Sequence, residues 1–226
     1  VCDKLGNVTC LINNASVFEQ DNIETASLDS WLSHMQVNLQ APFFLSQAMV
    51  VQGKSAERKN IINIIDQRVL NLTPFFSSYT ISKSALWTLT QTLAMSLAPE
   101  IRVNAVSPGP TLPSSRQDPE QFKQQYLATP LKKSVAPSEI VDAVLFILAT
   151  PSMTGQMITI DSGQHLGWSI PEANEKATLF PAIVGSEIIS AFGIDRFNKN
   201  VQDALFNVNR RLEEKEIISK LPLEEV

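Results

Sequence analysis

Tyr79 and Lys83 stand one helical turn apart in the segment Tyr79-Thr80-Ile81-Ser82-Lys83. Residues at i and i+4 share a helix face, so an ammonium there can sit beneath a phenol. An unperturbed phenol titrates near pH ~10, and a neighbouring cation favours the phenolate. Lys83 is therefore expected to bring Tyr79 closer to neutral pH as a proton donor or acceptor. That chemistry suits a carbonyl or an imine. Any exposed Tyr and Lys on a helix can have the same spacing, so the pair carries an inference only in company.

The surrounding pattern supplies the elements that would position the pair. Val8-Thr9-Cys10-Leu11-Ile12 reads as a short buried strand. Ser27-Leu28-Asp29-Ser30-Trp31 opens an amphipathic helix running through Val37, Leu39, Phe43, Phe44, Leu45 and Met49, with Ser27 or Asp29 as its N-cap. Asn60 to Ile65 is β-branched and apolar, as in a strand buried on both faces of a parallel sheet. A second helix is expected from about Ser78 to Leu97, ended by Pro99, and a further strand from Ile101 to Val106, closed by the turn Ser107-Pro108-Gly109-Pro110. Thr111 to Ala136 is polar and proline-punctuated, with a helical stretch near Pro119 to Leu127, and reads as a lid. Pro137 begins another helix, through Leu148, and Gln156 to Ile160 is the last strand. Alternating strands and helices imply an α/β fold, a Rossmann-like doubly wound parallel sheet. Residues 169–226 change character, with helical patterns over Phe180 to Phe192 and Arg196 to Ser219, and are expected to form a helical C-terminal extension for packing or assembly.

Composition removes several classes. With 226 residues, 44% of them hydrophobic, the chain can build a sizeable core. A net charge of −5 with scattered lysines and arginines gives no basic field for nucleic acid. The two cysteines, Cys2 and Cys10, suggest neither a disulfide framework nor a metal site. No stretch approaches the roughly 20 apolar residues of a membrane helix. A cytoplasmic protein with no membrane or nucleic-acid partner is expected. The first residue is Val1 and a strand follows almost at once, as in a chain that begins mid-domain.

The Tyr-x-x-x-Lys segment resembles the active-site signature of the short-chain dehydrogenase/reductases, and four further landmarks follow that family's order between Val8 and about Trp168. Leu11-Ile12-Asn13-Asn14-Ala15-Ser16 is similar to the family's Asn-Asn-Ala-Gly element, which lies against the cofactor. Val37-Asn38-Leu39 matches the asparagine that holds a water in the proton relay. Ser107-Pro108-Gly109-Pro110-Thr111 resembles the turn that receives the nicotinamide, and Met153 to Gln156 with Ile160 to Gln164 resembles the closing strand. The resemblance implies residues 1–168 as the family's domain, residues 169–226 as an extension, and a dimer or tetramer built through the helices near Trp31 and Ser78.

Two departures refine the resemblance. Where the family has a serine thirteen residues before the tyrosine, this chain has Asp66. An ionised aspartate only accepts hydrogen bonds and donates only once protonated. Beside Tyr79 in a desolvated cleft its pKa would rise, allowing it to share a proton with a ring nitrogen. Asp66, Ser16 and Phe18 together resemble the pteridine reductases and dihydromonapterin reductases, in which the equivalent phenylalanine stacks on the pterin. The implied activity is hydride transfer from NADPH to a dihydropterin, with Tyr79, Lys83, Asp66 and Asn38 in the relay. Asn14, Ala15, Ser16, Tyr79, Lys83, Pro108, Gly109 and Thr111 would contact the cofactor, and Phe18, Asp66 and Tyr79 the substrate. The second departure is an absence: only Gly6 falls in the first fifty residues, so the glycine-rich pyrophosphate turn is missing. NADP(H) follows from the resemblance alone, and NAD(H) stays open. So do two other functions: a generic carbonyl or alcohol oxidoreductase, and a catalytically inactive remnant or partner subunit.

Overall fold

The computed structural model describes residues 6–52, 58–114 and 117–167; the C-terminal extension expected over 169–226 lies outside the described residues. The elements are β1 (Cys10–Asn13), α1 (Leu28–Met35), α2 (Ala41–Val51), β2 (Lys59–Ile64), α3 (Ser77–Leu97), β3 (Ile101–Pro108), α4 (Pro119–Leu127), α5 (Pro137–Ala149) and β4 (Met157–Ile160). The strands form one parallel sheet in the order β1-β2-β3-β4, with Leu11 beside Ile61, Ile62 beside Asn104, and Val106 beside Ile158.

Side chains alternate between the two faces of a strand, and the two apolar clusters follow that alternation. Ile62, Ile64 and Val106 pack with Ile140, Ala143, Val144 and Ile147 of α5. Their neighbours Ala105 and Ile65 pack instead with Leu86 of α3. Helices therefore cover both faces of the sheet. This explains why β3 is buried at every position; its buried Arg102 and Asn104 donate to backbone carbonyls, among them those of Ile147 and Met153.

The expected long first helix is real but interrupted. Ser27 is its cap, accepting the Ser30 N–H at 3.1 Å. Between α1 and α2 the backbone widens into a π-helical turn over Gln36–Gln40, a distortion that periodicity cannot reveal. The lid helix α4 lies where Pro119 to Leu127 indicates, started by a capping box of Asp118 and Gln121. Among the described residues no helix is long and apolar enough to cross a membrane.

Candidate active site

Parallel sheets place ligands beyond the carboxyl ends of their strands. Asn14–Phe18 follow β1, Asp66 follows β2 and Gly109–Thr111 follow β3, so the expected site residues converge on that edge.

Asp66 caps the short 3₁₀ turn Gln67–Val69, accepting the Arg68 N–H at 2.8 Å. Its other oxygen accepts from the Tyr79 hydroxyl at 2.9 Å. Both residues are buried, Asp66 at 3% and Tyr79 at 5% relative exposure. Burial is the main cause that raises the Asp66 pKa; the Arg68 charge and N–H, the Tyr79 hydroxyl and the Lys83 charge pull it partly back. The Tyr79 pKa is pushed well above its ordinary value, first by burial and then by the Asp66 charge and hydrogen bond, while Arg68 and a Ser16 hydrogen bond act in the opposite sense.

The expectation that Lys83 lowers the Tyr79 pKa is therefore corrected. The Lys83 ammonium lies 5.8 Å from the Tyr79 ring centroid and donates to the Ile64 carbonyl at 3.0 Å. Burial first, and then the Asp66 carboxyl touching the phenol, outweigh a cation directed at a carbonyl. Burial brings Lys83 itself down to about 8, with Asp66 opposing.

Asn38 lies in the π-helical turn and is fully buried. Its Oδ1 accepts from the Val17 N–H at 2.8 Å and the Ser16 hydroxyl at 3.2 Å. Its Nδ2 donates to the Val17 carbonyl at 2.9 Å and to Ser82 Oγ at 3.0 Å. That set saturates the amide, so the side chain has no place left for a relay water. The amide stitches the loop after β1 to α3.

Phe18 belongs to an aromatic cluster. Its ring stacks on Phe76 at 4.5 Å and 17°, and meets Tyr79 edge to face at 4.5 Å and 79°. The Arg68 guanidinium lies over the Phe76 ring at 4.5 Å. Phe76 precedes α3 in the left-handed region, with φ 61° and ψ 45°, a conformation costing a non-glycine residue about 1–3 kcal/mol. Its surroundings hold it there: the ring is buried and the N–H is bonded to the Asp21 carbonyl at 2.6 Å.

The turn after β3 is tightly packed. Gly109 donates its N–H to the Ile160 carbonyl at 2.9 Å, and a Cβ there would lie 2.6 Å from the Asp161 Cα. Thr111 is buried and its hydroxyl donates to the Gly109 carbonyl at 3.0 Å. Asn14 is partly buried and Ala15 exposed at the mouth of β1.

Several contributors went unseen in the sequence reading. Asn13 Nδ2 donates to Asn63 Oδ1 at 2.7 Å, and Asn63 Nδ2 to Thr90 Oγ1 at 2.8 Å, a buried chain from β1 through β2 to α3. His34, Ser78 and Asp21 form a second buried network. Spacing was the one signal available: His34 and Asn38, like Ser78 and Ser82, lie at i and i+4 and so share a helix face.

The family model described as enoyl-(acyl carrier protein) reductase matches residues 1–165. The chain belongs to the short-chain dehydrogenase/reductase family. An uncharacterized oxidoreductase of Thermotoga maritima is 34% identical over 172 residues, 71% of this chain and 68% of that protein. A dihydromonapterin reductase of Escherichia coli is 28% identical over 158 residues, 69% of this chain and 66% of that one, so this chain spans about two thirds of such relatives. Among solved structures, the FolM alternative dihydrofolate reductase 1 of Brucella suis, in complex with NADP, superimposes with a TM-score of 0.73 at 45% identity, covering 76% of this chain and 69% of that one. The Brucella canis FolM protein, also with NADP, gives 0.72 at 44%, with the same coverage.

Proposed function

We propose that the chain carries the catalytic residues of an NADPH-dependent reductase of dihydropterin-like substrates. The observation that carries this reading is the buried hydrogen bond from Tyr79 to Asp66, a carboxyl where a plain alcohol or ketone reductase would need only a hydroxyl. A flat ring with basic nitrogens needs a proton delivered to nitrogen as hydride reaches carbon. A buried carboxyl whose pKa is raised by burial, beside a phenol, is suited to that delivery. The relatives named for dihydromonapterin and dihydrofolate support the substrate class.

The described residues fit the nicotinamide end of the cofactor. Lys83 is buried and its ammonium donates to the Ile64 carbonyl, one acceptor for three protons, so that it can also reach ribose hydroxyls. The Ser107 hydroxyl is buried without a partner at the end of β3. Lys83 and Tyr79 would hold the ribose, and the Pro108–Thr111 turn with Asn14, Ala15 and Ser16 would line the nicotinamide. Among the described residues no glycine-rich turn leads into a helix, so the pyrophosphate is assigned to none of them. NADPH supplies the hydride when bound. Asp66 and Tyr79 would share and deliver the proton, Lys83 would keep a positive charge near the pair below about pH 8, and Phe18, stacked on Phe76, would form an apolar wall against the Tyr79 ring. A relay water held at Asn38 would use its backbone carbonyl.

Assembly belongs to the same reading. Trp31, Leu32, Phe43, Val51, Ile81 and Met95 of α1, α2 and α3 are apolar and exposed, the pattern a helical interface between copies would leave on one chain.

The test is NADPH oxidation by the full gene product, comparing dihydromonapterin and dihydrobiopterin with simple ketones. Turnover confined to the pterins is expected; turnover confined to ketones would assign a generic carbonyl reductase instead.

A further inference from the structure

The loop after β1 is held to the catalytic helix by two parallel rungs, one on each side of Phe18. In the first, Asn38 binds the Val17 N–H and carbonyl and donates to Ser82, whose hydroxyl donates to the Tyr79 carbonyl at 2.7 Å. In the second, one turn earlier on both helices, His34 Nε2 accepts the Glu19 N–H at 2.9 Å and Nδ1 meets Ser78 Oγ at 2.7 Å. Ser78 donates from its hydroxyl to Asp21 Oδ2 and from its N–H to Asp21 Oδ1 at 3.1 Å.

The directions of these bonds fix the state of the histidine. A backbone N–H can only donate, so Nε2 must be an unprotonated acceptor. The proton of the neutral ring therefore sits on Nδ1 and is donated to Ser78, which passes its own to the Asp21 carboxylate. The His34 ring is fully buried and lies edge to face with Tyr79 at 5.9 Å and 69°. The same Asp21 accepts the Phe76 N–H through its carbonyl, so this rung also secures the strained residue on which Phe18 stacks.

We propose that His34, with Ser78 and Asp21, is a positioning residue that sets Phe18 and Phe76 against Tyr79 and so shapes the substrate-binding wall, acting only as the neutral Nδ1–H tautomer. The substrate named for that wall rests on the function proposed above. Protonation of His34 would turn Nε2 into a donor facing the Glu19 N–H, breaking the rung and freeing the loop. The charged groups acting on the ring are Asp21 and Glu19 from the loop and Lys83 from α3, with the Tyr79 phenol beside it. Burial is the leading effect and holds the imidazole below its ordinary value of 6.5, so release is expected on the acid side of that value.

The test compares wild type with His34→Gln and His34→Leu in the full gene product, with Ser78→Ala as a second rung variant should His34→Leu fail to fold. Gln can accept and donate with its terminal amide but does not titrate. Hydrogen-exchange protection of the amides from Val17 to Asp21 should fall on the order of tenfold in His34→Leu or Ser78→Ala, the expected result of orphaning a buried donor. The KM for dihydropterin should rise by a similar factor, with kcat and NADPH affinity changed by less than about threefold. His34→Gln should retain protection and KM and lose the weakening that wild type shows below pH 6.5. Unchanged protection in both rung variants would overturn the proposal, and so would a fall in kcat at constant KM, which would indicate proton transfer and not positioning. If wild type reduces no pterin, the proposed substrate is wrong, and the protection measurements still decide the role of His34.

Discussion

Replacing Asn63 with alanine tests how the strand ends that carry the site are tied to the catalytic helix. Asn63 is fully buried, accepts from Asn13 Nδ2 at 2.7 Å and donates to Thr90 Oγ1 at 2.8 Å. Its removal leaves the Asn13 amide, only 7% exposed, without its acceptor. An orphaned buried donor costs about 1–3 kcal/mol. The Thr90 hydroxyl still donates to the Leu86 carbonyl at 2.8 Å, so its share of the loss is smaller. The small void adds about 1 kcal/mol, giving an expected loss of about 2–4 kcal/mol, a large part of the roughly 5–15 kcal/mol that holds a domain together. Urea unfolding followed by tryptophan fluorescence should show the midpoint falling at constant slope. Thr90→Val should cost less, and the double variant should fall short of the sum by about 1 kcal/mol, because the three side chains share one network. A loss for Asn63→Ala below about 0.5 kcal/mol, or strict additivity with Thr90→Val, would refute the view that this chain couples β1 and β2 to α3.

Three further outcomes follow from the same geometry. Asp66→Asn should lower pterin reduction by about 10²–10⁴, the usual contribution of a positioned acid or base. It should not lower stability at neutral pH: a carboxyl whose folded pKa is raised contributes fully below its unfolded value, near ~3.9, and loses that contribution as pH rises through the folded value. The amide does not titrate, so urea midpoints should diverge in favour of Asn as pH rises. Lys83, brought down to about 8, should impose an alkaline limit on activity near that pH, and wild-type stability should rise from there toward the unfolded value of 10.5, since the unfolded chain then binds more protons; a flat rate profile from pH 7 to 9.5 would contradict the assignment. Gly109→Ala should destabilise by about 1–3 kcal/mol, because the new methyl meets Asp161 at 2.6–2.9 Å and must push β3 from β4. Thermal unfolding reads that loss, and NADPH titration should show weaker binding.

Most elements were legible because period and punctuation agreed with burial. The lid helix has an Asp118 cap with Gln121 three residues later, and both helices that follow the Thr111 turn begin with a proline in their first turn. Asp66, Tyr79 and Lys83 could be placed together because each sits at a strand end or helix start whose position the pattern gives. The electrostatics were not legible. Sequence spacing puts Lys83 near Tyr79, but whether the ammonium faces the phenol or a carbonyl depends on the path of β2, and Ile64 captures it. The π-helical turn that buries Asn38 has no periodic signature over five residues. His34 and Ser78 read as ordinary polar positions until Asp21, from a loop 57 residues away from Ser78, is folded against them.

The central claim is that the Asp66–Tyr79 pair serves reduction of a pterin ring. The most direct measurement incubates the full gene product with NADPH deuterated at the transferred C4 position and a dihydropterin, and follows product mass. The account predicts tetrahydropterin carrying one deuterium, formed about 10²–10⁴ more slowly in Asp66→Asn. Unlabelled or unreduced pterin, alongside deuterated alcohol from a simple ketone, would contradict it.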